Sequence, residues 1–265
     1  MFAAAQELWC ISPTTEAQVI LLIITISSLV IDTYKYICIV HPLLNNPVYY
    51  ALQSGDAHLG AGTENVKYFD EEVSPFAGFH VNYNKGFDEL YNLLPAGRNI
   101  LYATRNIIKE PEGWHLIREI KGLQFVFTGN SIATDNSQKL VPLESKHVEG
   151  MIALAKLTKP GPFDKRTIEF GYYYGIFDHD KLVAMTGQRL HVYNFSEVSA
   201  VCTHPNYLGK GFAAALLQHQ LDLICKSDQV PFLHVRDDNQ RAIALYERLG
   251  FIQNGHMNFY FLKRR

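Results

Sequence analysis

The spacing of apolar positions along the second half of the chain changes several times, and each change predicts an element. Apolar residues recur at helical spacing through 148–157, and Pro160 and Gly161 end that run. Five runs rich in β-branched and aromatic residues predict strands at 167–177, 181–192, 197–204, 231–235 and 257–263. Two further amphipathic segments, which start after Gly211 and at Asn239, predict helices. This alternation is typical of an α/β domain whose middle strands run parallel.

The first half has shorter apolar runs between turn-forming clusters, which predicts a smaller α+β unit. A helix is expected from after Pro47 to near Gly60, a strand at 76–81, a short helix at 87–94 and strands at 99–105 and 123–129. The polar stretch 129–139 is rich in turn formers and predicts a boundary. We therefore expect a first unit at 45–135 and a second at 136–265, with 1–44 unassigned.

Residues 19–31 are almost entirely apolar, so a membrane segment has to be considered. The run is only 13 residues long, whereas a spanning helix needs about 20. No Lys or Arg precedes it, while Glu7 and Glu16 do, which is the wrong charge pattern for a secretory signal. The expected role is a buried element of a soluble fold, and membrane tethering stays open as the alternative.

Composition narrows the function classes. The 265 residues carry a formal net charge of −2 with charges spread along the chain, so no electrostatic footprint for nucleic acid is present. Four scattered cysteines lack the close pairs of zinc or redox sites, which indicates reduced thiols in a cytoplasmic protein. Asp178, His179 and Asp180 fall in a predicted hairpin turn, so we expect a solvated turn there and no metal site.

Gly209, Lys210 and Gly211 stand between a predicted strand and the start of a predicted helix. Free N–H groups and a partial positive charge at a helix N-terminus bind phosphate where glycine lets the backbone approach closely. The alternative is a tight turn in which the glycines only relieve strain. Lys210 is followed by Gly211 and Phe212, whereas a P-loop needs Ser or Thr directly after its lysine, and Ala214 replaces the third glycine of a dinucleotide-binding motif. Nucleotide triphosphatases and nicotinamide enzymes are therefore disfavoured.

The same stretch resembles the acetyl-CoA signature of the GNAT superfamily of N-acetyltransferases, Gln/Arg-x-x-Gly-x-Gly/Ala. The segment 232–251, with Asn239, Ala242, Tyr246 and a final Leu-Gly-Phe, resembles the closing strand and helix of that superfamily. Three segments upstream, at 159–163, 166–176 and 200–205, are similar to the subgroup related to glycine N-acyltransferase and its bacterial relatives. The resemblance implies an α/β GNAT fold, a mixed sheet with splayed central strands flanked by helices. It also implies that residues 45–135 form a diverged, incomplete copy of the catalytic unit.

The resemblance assigns a cofactor site for acetyl-CoA, which acts as co-substrate. Backbone groups of Val201, Cys202 and Thr203 would pair with the pantetheine arm and the thioester carbonyl. The pyrophosphate would lie on the turn and first residues of the helix, which are Leu208, Gly209, Lys210, Gly211, Phe212 and Ala213. Leu208 departs from the Arg or Gln of the motif. Asn239 would bind the cofactor, although it would look the same in sequence as a helix N-cap.

Two residues are candidates for catalysis. Tyr246 stands where relatives carry the tyrosine that protonates the CoA thiolate, and the alternative is a core aromatic on an amphipathic helix. Glu197 is a candidate base, because strand alternation predicts that it shares a face with Ser199, Val201 and Thr203. The alternative for Glu197 is a solvated residue at a strand end. No basic partner can be assigned to Cys202, so direct transfer in a ternary complex is favoured over an acyl-enzyme.

The acceptor is expected to be a primary amine of a small molecule or an amino acid. Tyr173, Arg189 and His234 are the predicted acceptor residues, and an Arg would suit an acceptor carboxylate. The alternative for the tyrosine is a packing residue of a strand. A competing hypothesis is a sensor or interaction module that binds acyl-CoA without turnover, with Leu208 as its support. The sequence leaves the oligomeric state open.

Overall fold

The computed structural model describes residues 41–129 and 138–265. The elements before residue 130 are α1 Pro47–Ala51, β1 Gly60–Gly62, β2 Val66–Phe69, β3 Phe76–Phe79, α2 Gly86–Leu93, β4 Asn99–Thr104 and β5 Trp114–Phe127. The helix after Pro47 is shorter than predicted, because it ends at Ala51 and a 3-10 turn at Ala57–Leu59 precedes β1. The predicted strand at 123–129 is the last part of the long strand β5.

The elements after residue 137 follow the predicted alternation. They are β6 Val141–Pro142, α3 Val148–Thr158, β7 Tyr174–Asp178, β8 Lys181–Val192, β9 Phe195–Thr203, α4 Phe212–Lys226, β10 Val230–Arg236, α5 Gln240–Arg248 and β11 Phe251–Arg264. The predicted strand at 167–177 is wrong in its first part, where Thr167–Phe170 forms a 3-10 turn. Gly171 at φ +88° and Tyr172 at φ +55° then turn the chain into β7.

The described strands form one sheet in the order β1-β2-β3-β4-β11-β5-β10-β9-β8-β7-β6. Strand β5, which comes from before residue 130, lies between β10 and β11 and pairs with both of them antiparallel. The two halves of the chain therefore share the middle of the sheet, and the boundary expected near residue 135 stays a prediction.

Helices cover both faces of the central strands. Buried residues of α1 and α3 pack in one cluster with Met185, Cys202 and Phe232 of the sheet. Buried residues of α4 and α5 pack in a second cluster with Phe125 and Leu233. This three-layer arrangement buries the apolar stripes that the sequence pattern places on each helix. The mixed α/β sheet flanked by helices confirms the predicted fold class.

Strands β9 and β10 are parallel but stay paired for only three residues. Val230 pairs with Phe195, Pro231 with Ser196 and Phe232 with Glu197, and the ladder ends there. The remainder of β9, up to Thr203, and the end of β10 have no ladder between them, so these strands separate. The splay predicted for the central strands is therefore present.

A bulge changes the direction of side chains along β9. Ser199 pairs with Gly187 and Cys202 with Met185, so Ala200 and Val201 together oppose the single residue Thr186. Ala200 has φ +52° at this point. The extra residue breaks the strict alternation, so the prediction that Glu197 shares a face with Val201 and Thr203 is wrong. Val201 packs with the α4 and α5 cluster and Cys202 with the opposite one.

In residues 41–129 and 138–265, none of the helices combines the length and the apolar character that crossing a bilayer requires. The apolar run 19–31 lies outside the described residues, as do Cys10 and Cys38. Cys202 and Cys225 are free thiols. Asp178 ends β7, and His179 and Asp180 form the predicted exposed turn into β8.

Candidate active site

A cleft of about 580 Å³ opens where β9 leaves β10 and meets the starts of α4 and α5. Its lining contains every predicted cofactor residue except Lys210, namely Val201, Cys202, Thr203, Leu208, Gly209, Gly211, Phe212, Ala213, Asn239 and Tyr246. The Lys210 ammonium lies 4.8 Å from the centre of the Tyr207 ring, beside the cleft. The structure therefore gathers these predicted residues around one space.

The start of α4 presents free backbone donors to this cleft. Gly209 and Gly211 have φ of +81° and +78°, a conformation that favours glycine. Gly211 caps the helix without a side-chain hydrogen bond. Within the described residues, the amides of 209–214 have no protein acceptor, and the first backbone bond of the helix runs from Ala215 to the Gly211 carbonyl. A Cβ on either glycine would meet nothing within 4 Å, so both face open space.

The sequence analysis missed Arg241 and Arg248 of α5, which also line the cleft. Together with Leu245 they recur at intervals of four and three residues, which places them on one helical face. That spacing was the signal for a basic face on α5. Two arginines that line the same cleft as the free amides make this cleft suited to phosphate groups.

Thr203 and Cys202 form the part of the cleft wall on β9. The Thr203 Oγ1 atom is buried and has no hydrogen-bond partner within the described residues. Such orphaned groups are rare in folded proteins and indicate a place where a ligand or water supplies the partner. Burial raises the pKa of the Cys202 thiol to about 11, so this sulfur is a poor nucleophile at neutral pH.

Tyr246 is both a core aromatic and a residue of the cleft, the two positions that the sequence left open. It packs among the apolar residues of the α4 and α5 cluster, with its ring 6.0 Å from that of Phe251. It also lines the cleft. Burial raises the pKa of its phenol, so the hydroxyl stays protonated near neutrality. Asn239 likewise combines two roles, because its side chain caps α5 by accepting from the Ala242 amide at 3.3 Å while it lines the cleft.

Glu197, Arg189 and His234 form a buried charged cluster at the vertex of the splay, where β9 and β10 stop pairing. Both carboxylate oxygens of Glu197 accept from Arg189, at 2.9 Å from Nε and 2.6 Å from Nη2. The Nδ1 atom of His234 lies 2.9 Å from Oε1 of the same carboxylate. Glu197 is fully buried, so the alternative of a solvated strand end is wrong.

The electrostatics of this cluster hold Glu197 ionised. Burial acts to raise the pKa of its carboxyl, but the charge of Arg189 and the hydrogen bond from His234 outweigh burial and lower the pKa to about 2. A carboxylate held in this way is a weak base. The prediction that Glu197 is the catalytic base stays a prediction, and its contacts favour a positioning role.

Tyr173 packs against this cluster, and its pKa is raised mainly by burial and is further affected by the charges of Arg189, Glu197 and Cys202. The three predicted acceptor residues, Tyr173, Arg189 and His234, are therefore neighbours of Glu197, and none of them lines the cleft of α4 and α5. Arg189 is the most accessible of the group, with 14% of its side chain exposed. Its Nη1 atom lies 3.9 Å from the position a Cβ would take on Gly161.

In the described residues, no group of three or more His, Cys, Asp and Glu side chains is arranged to hold a metal ion.

Comparison with known proteins agrees with this geometry. The FR47-like protein family model matches residues 173–260, which contain β9, the glycine turn, α4, β10 and α5. The crystal structure of a GNAT-family protein from Novosphingobium aromaticivorans is similar over 85% of this chain and 99% of that chain, with 32% identity and a TM-score of 0.79. The chain belongs to the GNAT family of acetyltransferases. The narrower likeness to glycine N-acyltransferase stays a prediction.

Two further matches illustrate how far the likeness extends. Spermidine N(1)-acetyltransferase of Vibrio cholerae is 39% identical over 56 residues, which are 20% of this chain and 32% of that protein. The chain thus matches about a third of the length of this curated relative. A GCN5-related N-acetyltransferase from Kribbella flavida covers 82% of this chain and 93% of its own, with 14% identity and a TM-score of 0.55. At that identity the likeness shows the fold alone.

Proposed function

We propose that this GNAT protein is an acetyl-CoA-dependent N-acetyltransferase whose acceptor is the primary amine of a small molecule that also carries a carboxylate, such as an amino acid. The observation that carries the proposal is the meeting of two features in one cleft. The β9 and β10 ladder ends at Glu197 and Phe232, and the acceptor-free amides of 209–214 stand at the other end of the gap.

The residues of the cleft fit the parts of acetyl-CoA. Amides of the glycine turn and the guanidinium groups of Arg241 and Arg248 would hold the phosphates. Thr203 and the unpaired edge of β9 would bind the amide-rich pantetheine arm, and the unpartnered Thr203 hydroxyl supports this assignment. Acetyl-CoA supplies an acetyl thioester, whose carbonyl carbon bonds to the acceptor nitrogen as its bond to sulfur breaks.

The chain contributes a proton donor to this reaction. The Tyr246 hydroxyl, which burial keeps protonated, would give its proton to the departing sulfur. The raised pKa of Cys202 argues against a covalent acyl-enzyme and supports direct transfer in a ternary complex. An α-amine with a pKa of about 8 needs only about 1.4 kcal/mol to lose its proton at pH 7, so such an acceptor requires little help from a base.

Arg189 supports an acceptor with a carboxylate. Two of its N–H groups bind Glu197, and Nη1 is directed toward the loop at Gly161. The positive charge would anchor a carboxylate there. A polyamine such as spermidine would need an unpaired carboxylate, but the charge of Glu197 is balanced by Arg189, and its Oε1 atom also contacts His234. The local charge therefore favours glycine-like acceptors, in keeping with the predicted likeness to glycine N-acyltransferase.

The test is a panel of acceptors in an assay that follows CoA thiol release. The panel contains amino acids, the matching amino-acid amides, and spermidine. The proposal expects amine-dependent release that is strongest for free amino acids and falls when the carboxylate is amidated. Binding of acetyl-CoA without release for any amine would favour the sensor hypothesis, and a preference for spermidine would contradict the acceptor assignment.

A further inference from the structure

A row of polar side chains crosses four adjacent strands at the vertex of the splay. Gln124 on β5 pairs in register with His234 on β10, and Glu197 on β9 pairs in register with Arg189 on β8. The side chains are in contact in the same order, since the ring of His234 lies between Gln124 and Glu197. Gln124 is fully buried and belongs to the first half of the chain.

Two independent contacts fix the orientation of the Gln124 amide. Its Oε1 atom accepts from Arg105 Nη2 at 2.8 Å, and arginine has only donors. Its Nε2 atom donates to the Leu44 carbonyl at 2.9 Å, and a carbonyl only accepts. Reversing the amide would turn both contacts into repulsions. The nitrogen of Gln124 is therefore the atom that faces His234.

This orientation determines where His234 carries its proton. Nε2 of His234 lies 2.9 Å from the amide nitrogen of Gln124, which is a donor and cannot accept. Nε2 must accept, so the proton of the neutral ring is on Nδ1. That atom then donates to Glu197 Oε1 at 2.9 Å. The tautomer follows from the orientation of the Gln124 amide, which Arg105 and Leu44 fix. No charge of the histidine has to be assumed.

We propose that Gln124 is a positioning residue for the acetyltransferase site: it holds His234 as the neutral Nδ1–H tautomer, and His234 in turn fixes the Glu197 carboxylate on which Arg189 is held. The proposal rests on the proposed function. It gives the first half of the chain a specific part in the site, because β5 supplies the residue that sets this row. Arg189 is then held with its outer edge toward Gly161, where the acceptor carboxylate would bind.

The first test needs no variant. Nitrogen-15 NMR of the ring of His234 in the wild-type protein distinguishes a bare nitrogen from a protonated one. We expect Nε2 to be bare and Nδ1 to carry the proton at neutral pH. A proton on Nε2, whether in the other tautomer or in the doubly protonated ring, would overturn the proposal.

The second test replaces Gln124 with glutamate, which puts an oxygen opposite His234 Nε2 and forces that atom to carry a proton. We expect Gln124→Glu to lower kcat/KM for the amine by between about tenfold and 10²-fold, as small displacements near a reacting pair do. The KM for acetyl-CoA should stay the same, since its phosphates lie at the other end of the cleft. The NMR signals of His234 should change in parallel.

Gln188→Glu is the matched control. Gln188 is also a buried glutamine of the sheet beside a histidine, but its side chain contacts Gln220 and His191 and takes no part in the row. The control should lose stability without the selective effect on the amine. Equal kinetic effects of the two variants, or an altered His234 with unchanged amine kinetics in Gln124→Glu, would overturn the positioning role.

The two proposals fail separately. Absence of thiol release from the wild type with every amine defeats the proposed function, and the tautomer of His234 then decides whether Gln124 sets the row. Activity in the wild type together with a bare Nε2 that survives Gln124→Glu defeats only the inference about Gln124. Should Gln124→Glu not fold, the wild-type spectrum alone decides the tautomer.

Discussion

Glu197 on β9 and Phe232 on β10 are the last residues that pair across the parallel ladder of these two strands. Beyond them β9 continues through the bulge at Ala200 toward the glycine turn, and β10 continues with His234 on its other neighbour, β5. The cleft proposed for acetyl-CoA opens from this vertex, and the buried cluster of Arg189 and Glu197 occupies it.

Removing the hydroxyl of Tyr246 tests its role as proton donor. Tyr246→Phe keeps the ring that packs with Phe251, so stability should change little. General acid catalysis contributes about 10²-fold or more, and kcat should fall by that order while the KM for acetyl-CoA stays the same. The measurement is steady-state thiol release with a thermal melt beside it. Wild-type kcat in a folded variant would exclude Tyr246 as the acid.

Adding a methyl group in the glycine turn tests the phosphate cradle. Gly211→Ala puts a Cβ into open space at φ +78°, so we expect a loss of about 1 kcal/mol from the strained backbone and a raised KM for acetyl-CoA. Gly97→Ala is the matched control, because Gly97 also has φ +78° with nothing within 4 Å of its Cβ position. It should cost similar stability and leave the KM unchanged. A raised KM in both variants would point to a general effect of strain.

The depressed pKa of Glu197 predicts a pH dependence of stability. Because the folded-state pKa is lowered from 4.5 to about 2, the group stabilises the fold above pH 4.5, and this contribution is lost as the pH falls from 4.5 toward 2. Urea unfolding across this window should show a steep slope in the wild type and a flatter one in Glu197→Gln. An identical slope in both would contradict the assigned pKa.

At neutral pH, Glu197→Gln should lower the free energy of unfolding. Glu197→Gln leaves the buried Arg189 without its counter-charge, and breaking a buried pair costs about 3–5 kcal/mol. Glu169→Gln is the control, because Glu169 pairs with Arg166 at the partly exposed surface, where a pair contributes about 0–1 kcal/mol. Comparable losses of unfolding free energy in the two variants would show that the vertex cluster does not stabilise the fold.

The shared sheet predicts that the second half of the chain does not fold alone. Strand β5 pairs with both β10 and β11, and Phe125 and Phe127 of β5 complete the cluster under α5. A fragment of residues 138–265 would expose two unpaired edges and this apolar surface. It should be insoluble or molten by near-ultraviolet circular dichroism and should regain order when coexpressed with residues 41–129. A stable, CoA-binding fragment would contradict this prediction.

Local pattern was enough to predict most elements of the second half and residues that the structure gathers around one cleft. Helical spacing ends α3 near Pro160, and glycines that need positive φ mark the start of α4. Both signals are properties of neighbouring residues.

The features that the sequence did not reveal depend on residues far apart in the chain. The place of β5 between β10 and β11 follows from long-range pairing, which no local period encodes. The bulge at Ala200 reverses side-chain direction through a single φ value in a residue with no preference for it. The burial of Glu197 could not be predicted either, because Arg189, which balances its charge, and His234, which hydrogen-bonds it, lie on other strands.

The most direct measurement of the central claim is an NMR titration of the backbone amides with CoA. The account predicts that the amides of Gly209, Gly211, Phe212 and Ala213 shift together and saturably, with Thr203 following, while the amide of Gly97 stays unchanged. Binding of CoA that leaves the amides of 209–213 unshifted, or the absence of binding at millimolar CoA, would contradict it.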